Sequence, residues 1–406
     1  MGPVTVHTDL GVGDVVTGTL FAHHRRGTQS ATFVYDSSYV GARGAYAIDP
    51  QLPLSTGPWH TAVGQRLFGA LSDCAPDRWG RTLLRRHEAA LADADGRTAR
   101  ELGEVDYLLG VRDDLRQGAL RLTIDDGPFL ALDDTGVPTL TELPELLHIA
   151  ADYERDEAGL DEIRRLVGAG SSLGGARPKT HVRTTDGRLA IAKLPSKDDD
   201  WDVMAWEKVA LDLAAAADIA VPTSRLVTIA ERRVLIVDRF DRAPDGARLG
   251  YASAMTMLEA TDHDPRTYLE IAEAIEEHSD RATADLHELW RRLVLGVLLH
   301  NSDDHLRNHG FVHAGTGRWR LSPAFDINPN PAPAAHATAL GDAHPDSTIE
   351  AALAVADYFR LDQASAQRVL ASIVAVVRRW PDVATGHGLG RAQLDRMAPA
   401  FAAVPT

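Results

Sequence analysis

The sequence predicts an α+β protein with a β-rich N-terminal subdomain, a middle region of short paired strands and a mostly helical C-terminal lobe. Three patterns carry that prediction. Residues 1–50 alternate polar and apolar positions, as in VVTGTLFA and SATFVYD, with glycine-rich breaks, which is the period-two signature of a small antiparallel sheet. A glycine-dense loop at 168–179 leads into two short alternating runs, HVRTT and RLAIAKL. Farther on, Leu286, Leu289, Trp290, Leu293, Val294, Val297 and Leu298 fall at steps of three and four, giving one apolar helical stripe.

The other elements follow in chain order. A helical segment covers 61–92, broken at Cys74-Ala75-Pro76-Asp77, where proline sets a new helix start. A helix over 99–109 leads to the strand GALRLTI. The acidic run IDDGPFLALDDTGVPTLTEL, rich in Gly and Pro, marks a boundary or an exposed connection. Helices are expected over 140–153, 156–167 and 201–217, and strands over 224–229 and 233–238. The second of these strands runs into Asp238-Arg-Phe-Asp-Arg242. After the apolar stripe, GFVHA and GRWRLSP form a hairpin around Gly315-Thr-Gly317. Residues 328–347 are loop-like and rich in Pro, Ala and His, and helices over 349–358, 362–380 and 391–403 close the chain. The expected domains are 1–125, 140–242 and 243–406.

Composition narrows the function classes. At 406 residues there is material for two or three domains. A net charge of −16 argues against a chain that grips nucleic acid broadly. The single cysteine, Cys74, excludes an internal disulfide framework and suits a reducing compartment. No signal-peptide pattern and no apolar run of membrane-spanning length is present, so a cytoplasmic protein without membrane contact is expected.

The chemistry concentrates at 300–327, HNSDDHLRNHGFVHAGTGRWRLSPAFDI. Asp303 is followed five positions later by Asn308, and Asp326 lies eighteen beyond that, beside Phe325. Kinases use an aspartate, an asparagine at plus five and a second aspartate next to phenylalanine to hold magnesium and ATP. Magnesium takes hard oxygen ligands, so a carboxylate and an amide oxygen from separate segments can clamp it against phosphates. A further carboxylate, not spent on metal, can accept the proton of an attacking hydroxyl. Asp303 is therefore expected as the base, with Asn308 and Asp326 as metal ligands. Taken alone, DDHLRN also reads as a polar turn, and the four histidines lack Cys or Glu partners at zinc-ligand spacing.

Upstream residues supply the nucleotide half. The glycines of 168–179 let backbone N–H groups approach a polyphosphate, and Arg177 or Lys179 adds positive charge. Such a loop is also a common helix-to-strand turn. Lys193 ends a strand after that loop, where kinases place a phosphate-binding lysine, or else it sits on a solvated strand end. Glu207, on the next helix, is a candidate partner for Lys193, with a surface glutamate as the alternative. Asp238 and Phe240 lie where a hinge between two lobes should receive an adenine edge.

Taken together, SSLGGARPKT (171–180), AKLPSK (192–197), VDRFDR (237–242), NSDDHLRN (301–308) and LSPAFDI (321–327) resemble the HipA family, the serine/threonine kinase toxins of HipBA toxin–antitoxin modules. FGALSDCAPDRWGRTLL (68–84) and DYLLGVRDDLRQGALRL (106–122) extend the resemblance to the N-terminal subdomain of those proteins. The resemblance implies a two-lobed, protein-kinase-like fold, with ATP and Mg2+ as cofactors. It implies ATP contacts from Ser172, Leu173, Gly174, Gly175, Ala176, Arg177, Lys179, Lys193, Asp238, Phe240, His305 and Arg307, with His305 also bracing its loop. Autophosphorylation at Ser172, or at the adjacent Ser171, would silence the kinase. The implied partners are a small helix-turn-helix antitoxin like HipB, through which DNA is met indirectly, and a protein substrate such as glutamyl-tRNA synthetase. Phosphorylation of that synthetase would block translation and cause growth arrest or persistence. Two other readings stand beside this one: a small-molecule kinase of the aminoglycoside or choline type, and a catalytically silent co-repressor.

Overall fold

Alternating side chains in the first fifty residues build the sheet that the pattern predicts. The computed structural model describes residues 2–10, 13–25, 27–125, 127–130, 136–170, 175, 177–262, 264–315, 317–332, 334–341 and 347–405. These fall into two units, one formed by Met1–Asp198, Thr228–Ala252 and Gly315–Gly317, the other by Asp199–Val227, Ser253–Ala314 and Arg318–Thr406.

In the first unit, β1 (Val4–Asp9), β2 (Asp14–Arg25), β3 (Thr28–Tyr35), β4 (Pro58–His60) and β5 (Leu120–Ile124) form one sheet in the order β4-β3-β2-β1-β5. The pairings β1–β2, β1–β5, β2–β3 and β3–β4 are all antiparallel. Val4, Val6, Leu20, Phe33 and Leu122 of these strands are buried. Gly18 is required by close approach: a Cβ there would stand 2.3 Å from the Val34 carbonyl oxygen and 2.7 Å from the Phe33 ring. Residues 61–68, expected to be helical, are not; β4 precedes them and the next helical turn begins at Gly69. The predicted break is present, because Asp77 caps α1 (Arg78–Ala94) by accepting the Gly80 N–H at 2.8 Å.

Helices α2 (Leu143–Glu154) and α3 (Leu160–Ala169) follow. A second antiparallel ladder then runs through β6 (Lys179–Arg183), β7 (Leu189–Lys193) and β8 (Arg232–Asp238). Its register pairs Lys179 with Lys193 and Ala190 with Asp238. The buried residues of β8, Val234 to Val237, and the small Ala190 and Ala192 of β7 explain why this ladder forms without long strands.

The second unit is helical, as the apolar stripe predicts. It holds α4 (Val203–Ala216), α5 (Tyr268–His278), α6 (Ala282–Leu298) and α7 (Gln363–Val377), with a hairpin of β9 (Gly310–His313) and β10 (Trp319–Leu321). Leu286, Leu289, Trp290, Leu293 and Val294 of α6 are buried, and the Trp290 indole N–H donates to the Ala352 carbonyl at 3.0 Å. Buried Asp285, in the first turn of α6, accepts the Ser279 hydroxyl at 2.8 Å and the Leu321 N–H at 3.0 Å, fixing β10 to the helix. Helix Trp380–Gly386 was not expected as a separate element. Its Trp380 ring stacks on Phe401 at 4.3 Å, so tertiary packing rather than periodicity sets its start. Among the described residues no helix is long and apolar enough to cross a membrane.

Candidate active site

α6 ends at Leu298 with Leu299 as its cap, and the chain reverses through His300, whose φ is +47°. The Asn301 N–H returns to the Gly296 carbonyl at 2.8 Å, so the segment after it leaves a rigid helix end in a fixed direction. Asp303 is exposed on that segment, whereas Asp304 and Asn308 are buried. Asn308 Nδ2 donates to the Asp303 carbonyl oxygen at 2.9 Å. That bond fixes the amide, leaving Oδ1 as the atom suited to a cation. Burial and the charges of Asp326 and Asp304 push the Asp303 carboxyl above its ordinary value, with His305 opposing them.

Asp326 is half-buried and adopts φ +58°. The segment before it is fastened on several sides. Arg292 of α6 donates to the Ser322 carbonyl at 2.5 Å, the Ser322 N–H donates to Gly310 at 2.8 Å, and the Ala324 N–H donates to Ala220 at 2.7 Å. Asn328 then links the two segments, because its N–H donates to Asn301 Oδ1 at 3.2 Å and its Nδ2 to Asp326 Oδ1 at 3.3 Å. The hairpin thus returns the second aspartate to the first, so the Asp326 charge acts on Asp303. Asp326 and the Asn308 amide oxygen are hard donors of the kind magnesium prefers, so these residues fit the cation that the motif implies.

Exposed Arg307 pairs with Asp262. His305 is half-buried, and its Nδ1 has no hydrogen-bond partner among the described residues, while its backbone carbonyl accepts the Asn308 N–H at 2.8 Å. Glu207 is only 2% exposed on α4, which removes the surface-glutamate alternative. Lys193 is half-buried at the end of β7; it belongs to the first unit and Glu207 to the second. Ser171, Ser172, Leu173, Gly174 and Ala176 lie outside the described residues. Gly175 has φ +114°, and a Cβ there would meet Lys179 Nζ at 3.1 Å. Arg177 is exposed, but Lys179 is 5% exposed and ion-paired with equally buried Asp77, the cap of α1.

In the segment 238–242, expected as the adenine hinge, the residues divide into two groups. Asp238 pairs with Arg188 at 2.6 Å, and Phe240 packs at 6.1 Å from Tyr251. Arg239, Asp241 and Arg242 form a buried network. The Arg239 guanidinium spans Asp241 and donates to the carbonyls of Leu115 at 2.9 Å and Arg116 at 3.2 Å. Asp241 accepts the Gly118 N–H at 2.7 Å and Arg242 Nη1 at 2.8 Å. Arg239 also lies 2.9 Å from His181 Nε2; an arginine only donates, so that nitrogen accepts. Burial, reinforced by the Arg239 charge, holds His181 well below its usual value and therefore neutral. The other side of His181 supports Gly170 (φ +122°), the residue before the glycine loop; a Cβ there would fall 2.0 Å from Nδ1. Sequence reasoning missed Asp77, His181, Arg239 and Asp241. The only available signal was the density of opposite charges in DRFDR.

An α+β, kinase-like fold that carries an Asp–Asn–Asp oxygen set on the segment after its central helix defines the class. The chain belongs to the HipA family: residues 171–380, more than half of it, match the HipA-like C-terminal domain, and residues 10–102 match the HipA N-terminal domain. HipA of Shewanella oneidensis MR-1, solved with HipB and operator DNA, superposes with a TM-score of 0.68 at 14% identity, covering 98% of this chain and 96% of that one. Y4dM of Sinorhizobium fredii, classed as a kinase by inference, is 32% identical over 97 residues, 23% of each chain. A Haemophilus influenzae protein classed the same way is 28% identical over 122 residues, 26% of this chain and 35% of that one. The matches thus span about a quarter to a third of these two relatives.

Proposed function

We propose that this chain is an ATP- and magnesium-dependent serine/threonine protein kinase that acts as the toxin of a toxin–antitoxin pair. One observation supports it above the others: an exposed carboxylate, Asp303, is raised by its surroundings while Asn308 and Asp326 are oriented around it. A carboxylate with a raised pKa is a better proton acceptor for a serine hydroxyl than an ordinary one. Asp303 would take that proton as the hydroxyl oxygen attacks the γ-phosphorus and the bond to ADP breaks. Asn308 and Asp326 would hold magnesium, which when bound neutralises charge on the phosphates. In the first unit, Lys193 and the loop of Ser172, Leu173, Gly174, Gly175, Ala176 and Arg177 would receive the phosphates, with Asp238 and Phe240 near adenine. Buried Lys179 would hold the base of that loop through Asp77.

The partner is a small helix-turn-helix antitoxin, in keeping with the HipA–HipB–DNA assembly of the Shewanella relative and with an acidic chain that leaves DNA contact to another protein. The substrate is an aminoacyl-tRNA synthetase, glutamyl-tRNA synthetase by family likeness, and phosphorylation of Ser172 or Ser171 is the off switch. Purified wild type and Asp303→Asn, incubated with γ-labelled ATP, magnesium and a cell lysate, test the reading. Label on a synthetase serine and on Ser172 or Ser171 in wild type alone is expected. Turnover of an aminoglycoside or choline with no labelled protein would overturn it.

A further inference from the structure

Asp304 follows the proposed base directly, yet its side chain goes the opposite way, into the protein. It is buried, with one carboxylate oxygen hydrogen-bonded and the other beside an imidazole. The Tyr268 hydroxyl donates to Oδ2, and His309 Nε2 lies 3.1 Å from Oδ1. The Asp304 carbonyl oxygen accepts the Thr338 hydroxyl at 2.6 Å, so the residue is held at side chain and backbone alike.

The groups holding it are themselves fixed. Tyr268 is the first residue of α5, whose cap is a reciprocal pair: the Thr267 N–H donates to Glu270 at 2.8 Å and the Glu270 N–H to Thr267 Oγ1 at 3.3 Å. The Tyr268 N–H donates to the Ala339 carbonyl at 2.9 Å, so α5 and the segment carrying Thr338 grip one another as well as Asp304. His309 stands edge-on to the Tyr268 ring at 5.3 Å, and its carbonyl accepts the Ala254 N–H at 2.7 Å. A buried carboxylate is costly unless its oxygens are satisfied, and here that requirement locks one backbone position.

We propose that Tyr268, Asp304 and Thr338 are positioning residues that set the angle at which Asp303 meets a substrate hydroxyl. Their part is to position, while the proton transfer is assigned to Asp303. With Asp304 clamped inward, the preceding residue is forced outward, and the Asn308 amide bond to the Asp303 carbonyl fixes the remaining rotation. Misplacing a reacting group by an ångström costs about a hundred-fold in rate, so the clamp acts on kcat rather than on nucleotide affinity. The inference rests on the reading of Asp303 as the base.

The test uses the full chain in labelled-ATP kinetics together with hydrogen exchange. Tyr268→Phe removes one hydroxyl and keeps the ring; it should lower kcat by about ten- to a hundred-fold with KM for ATP within about two-fold of wild type. Thr338→Val should act in the same direction, and Thr338→Ser, which keeps the hydroxyl, should restore the rate. Amides of 303–308 should exchange faster in Tyr268→Phe while those of α6 stay protected. A Tyr268→Phe enzyme with unchanged kcat and a lower Tm would reduce the cluster to support of the fold. If wild type transfers no phosphate, the kinase reading fails by itself and exchange alone judges the clamp: unchanged exchange at 303–308 overturns it.

Discussion

Asp303 and Asp241 belong to two charge-dense motifs, SDDHLRN and DRFDR, and the structure drives their carboxyls in opposite directions. The Asp303 side chain reaches solvent, but its carboxyl is partly buried, and that partial burial with two neighbouring carboxylates raises it. Asp241 is buried, and burial alone would raise it further, but Arg239 and Arg242 outweigh burial and hold it far below the usual range. At both aspartates burial pushes the carboxyl up; the sign of the neighbouring charges, carboxylates beside Asp303 and guanidinium groups beside Asp241, decides whether that push stands or is overturned.

The largest expected effect breaks the comparison on the Asp303 side. Asp303→Asn should lower phosphate transfer by about 10²- to 10⁴-fold, measured as initial rates with labelled ATP, with little change in a urea melt because the residue is exposed. On the other side, Asp241→Asn leaves Arg239 and Arg242 partly uncompensated and should cost about 3–5 kcal/mol of unfolding free energy in the same melt. A stability loss from Asp303→Asn that matched that from Asp241→Asn would erase the distinction.

The pH dependence sharpens it. The folded Asp241 value is depressed, so its contribution is fully present above the unfolded value of about 3.9 and is lost as pH falls through the folded value. The folded Asp303 value is raised, so folding loses stability as pH rises from about 3.9 through it. Urea midpoints across acid pH should therefore fall toward acid less steeply in Asp241→Asn than in wild type. They should decline less toward neutral pH in Asp303→Asn. Identical profiles for both variants would contradict the assignment. The smallest effect is expected from Arg188→Ala: it frees Asp238 from a half-exposed pair, so the melt should barely move and any change should appear in KM for ATP. A large loss of stability there would show that the strand end is structural.

Much of the candidate site was legible because its members lie close together in the chain. Asp303, Asn308 and Asp326 are joined by one hairpin, and an apolar stripe with a three- and four-residue period announces the helix that carries them. The N-terminal sheet was legible for a similar reason, since alternation is a local property. The buried network was not. Arg239 meets the Leu115 carbonyl across 124 residues of sequence, and backbone carbonyls leave no mark in composition. Read locally, DRFDR looks like a charged strand end facing a ligand; only its packing against residues 115–118 shows that Arg239, Asp241 and Arg242 point inward.

The sequence by itself determined the α+β class, most of the order of the elements and the three oxygen-bearing residues of the candidate site, because periodicity and short spacing survive without tertiary contacts. Tertiary structure decided which charges are buried with partners and which stay at the surface. It buried Lys179 against Asp77, fixed Asp304 between Tyr268 and Thr338, and left Asp303 outside. The physical reason is that a charge is defined by its partners and its exposure, and both are set by segments far away along the chain.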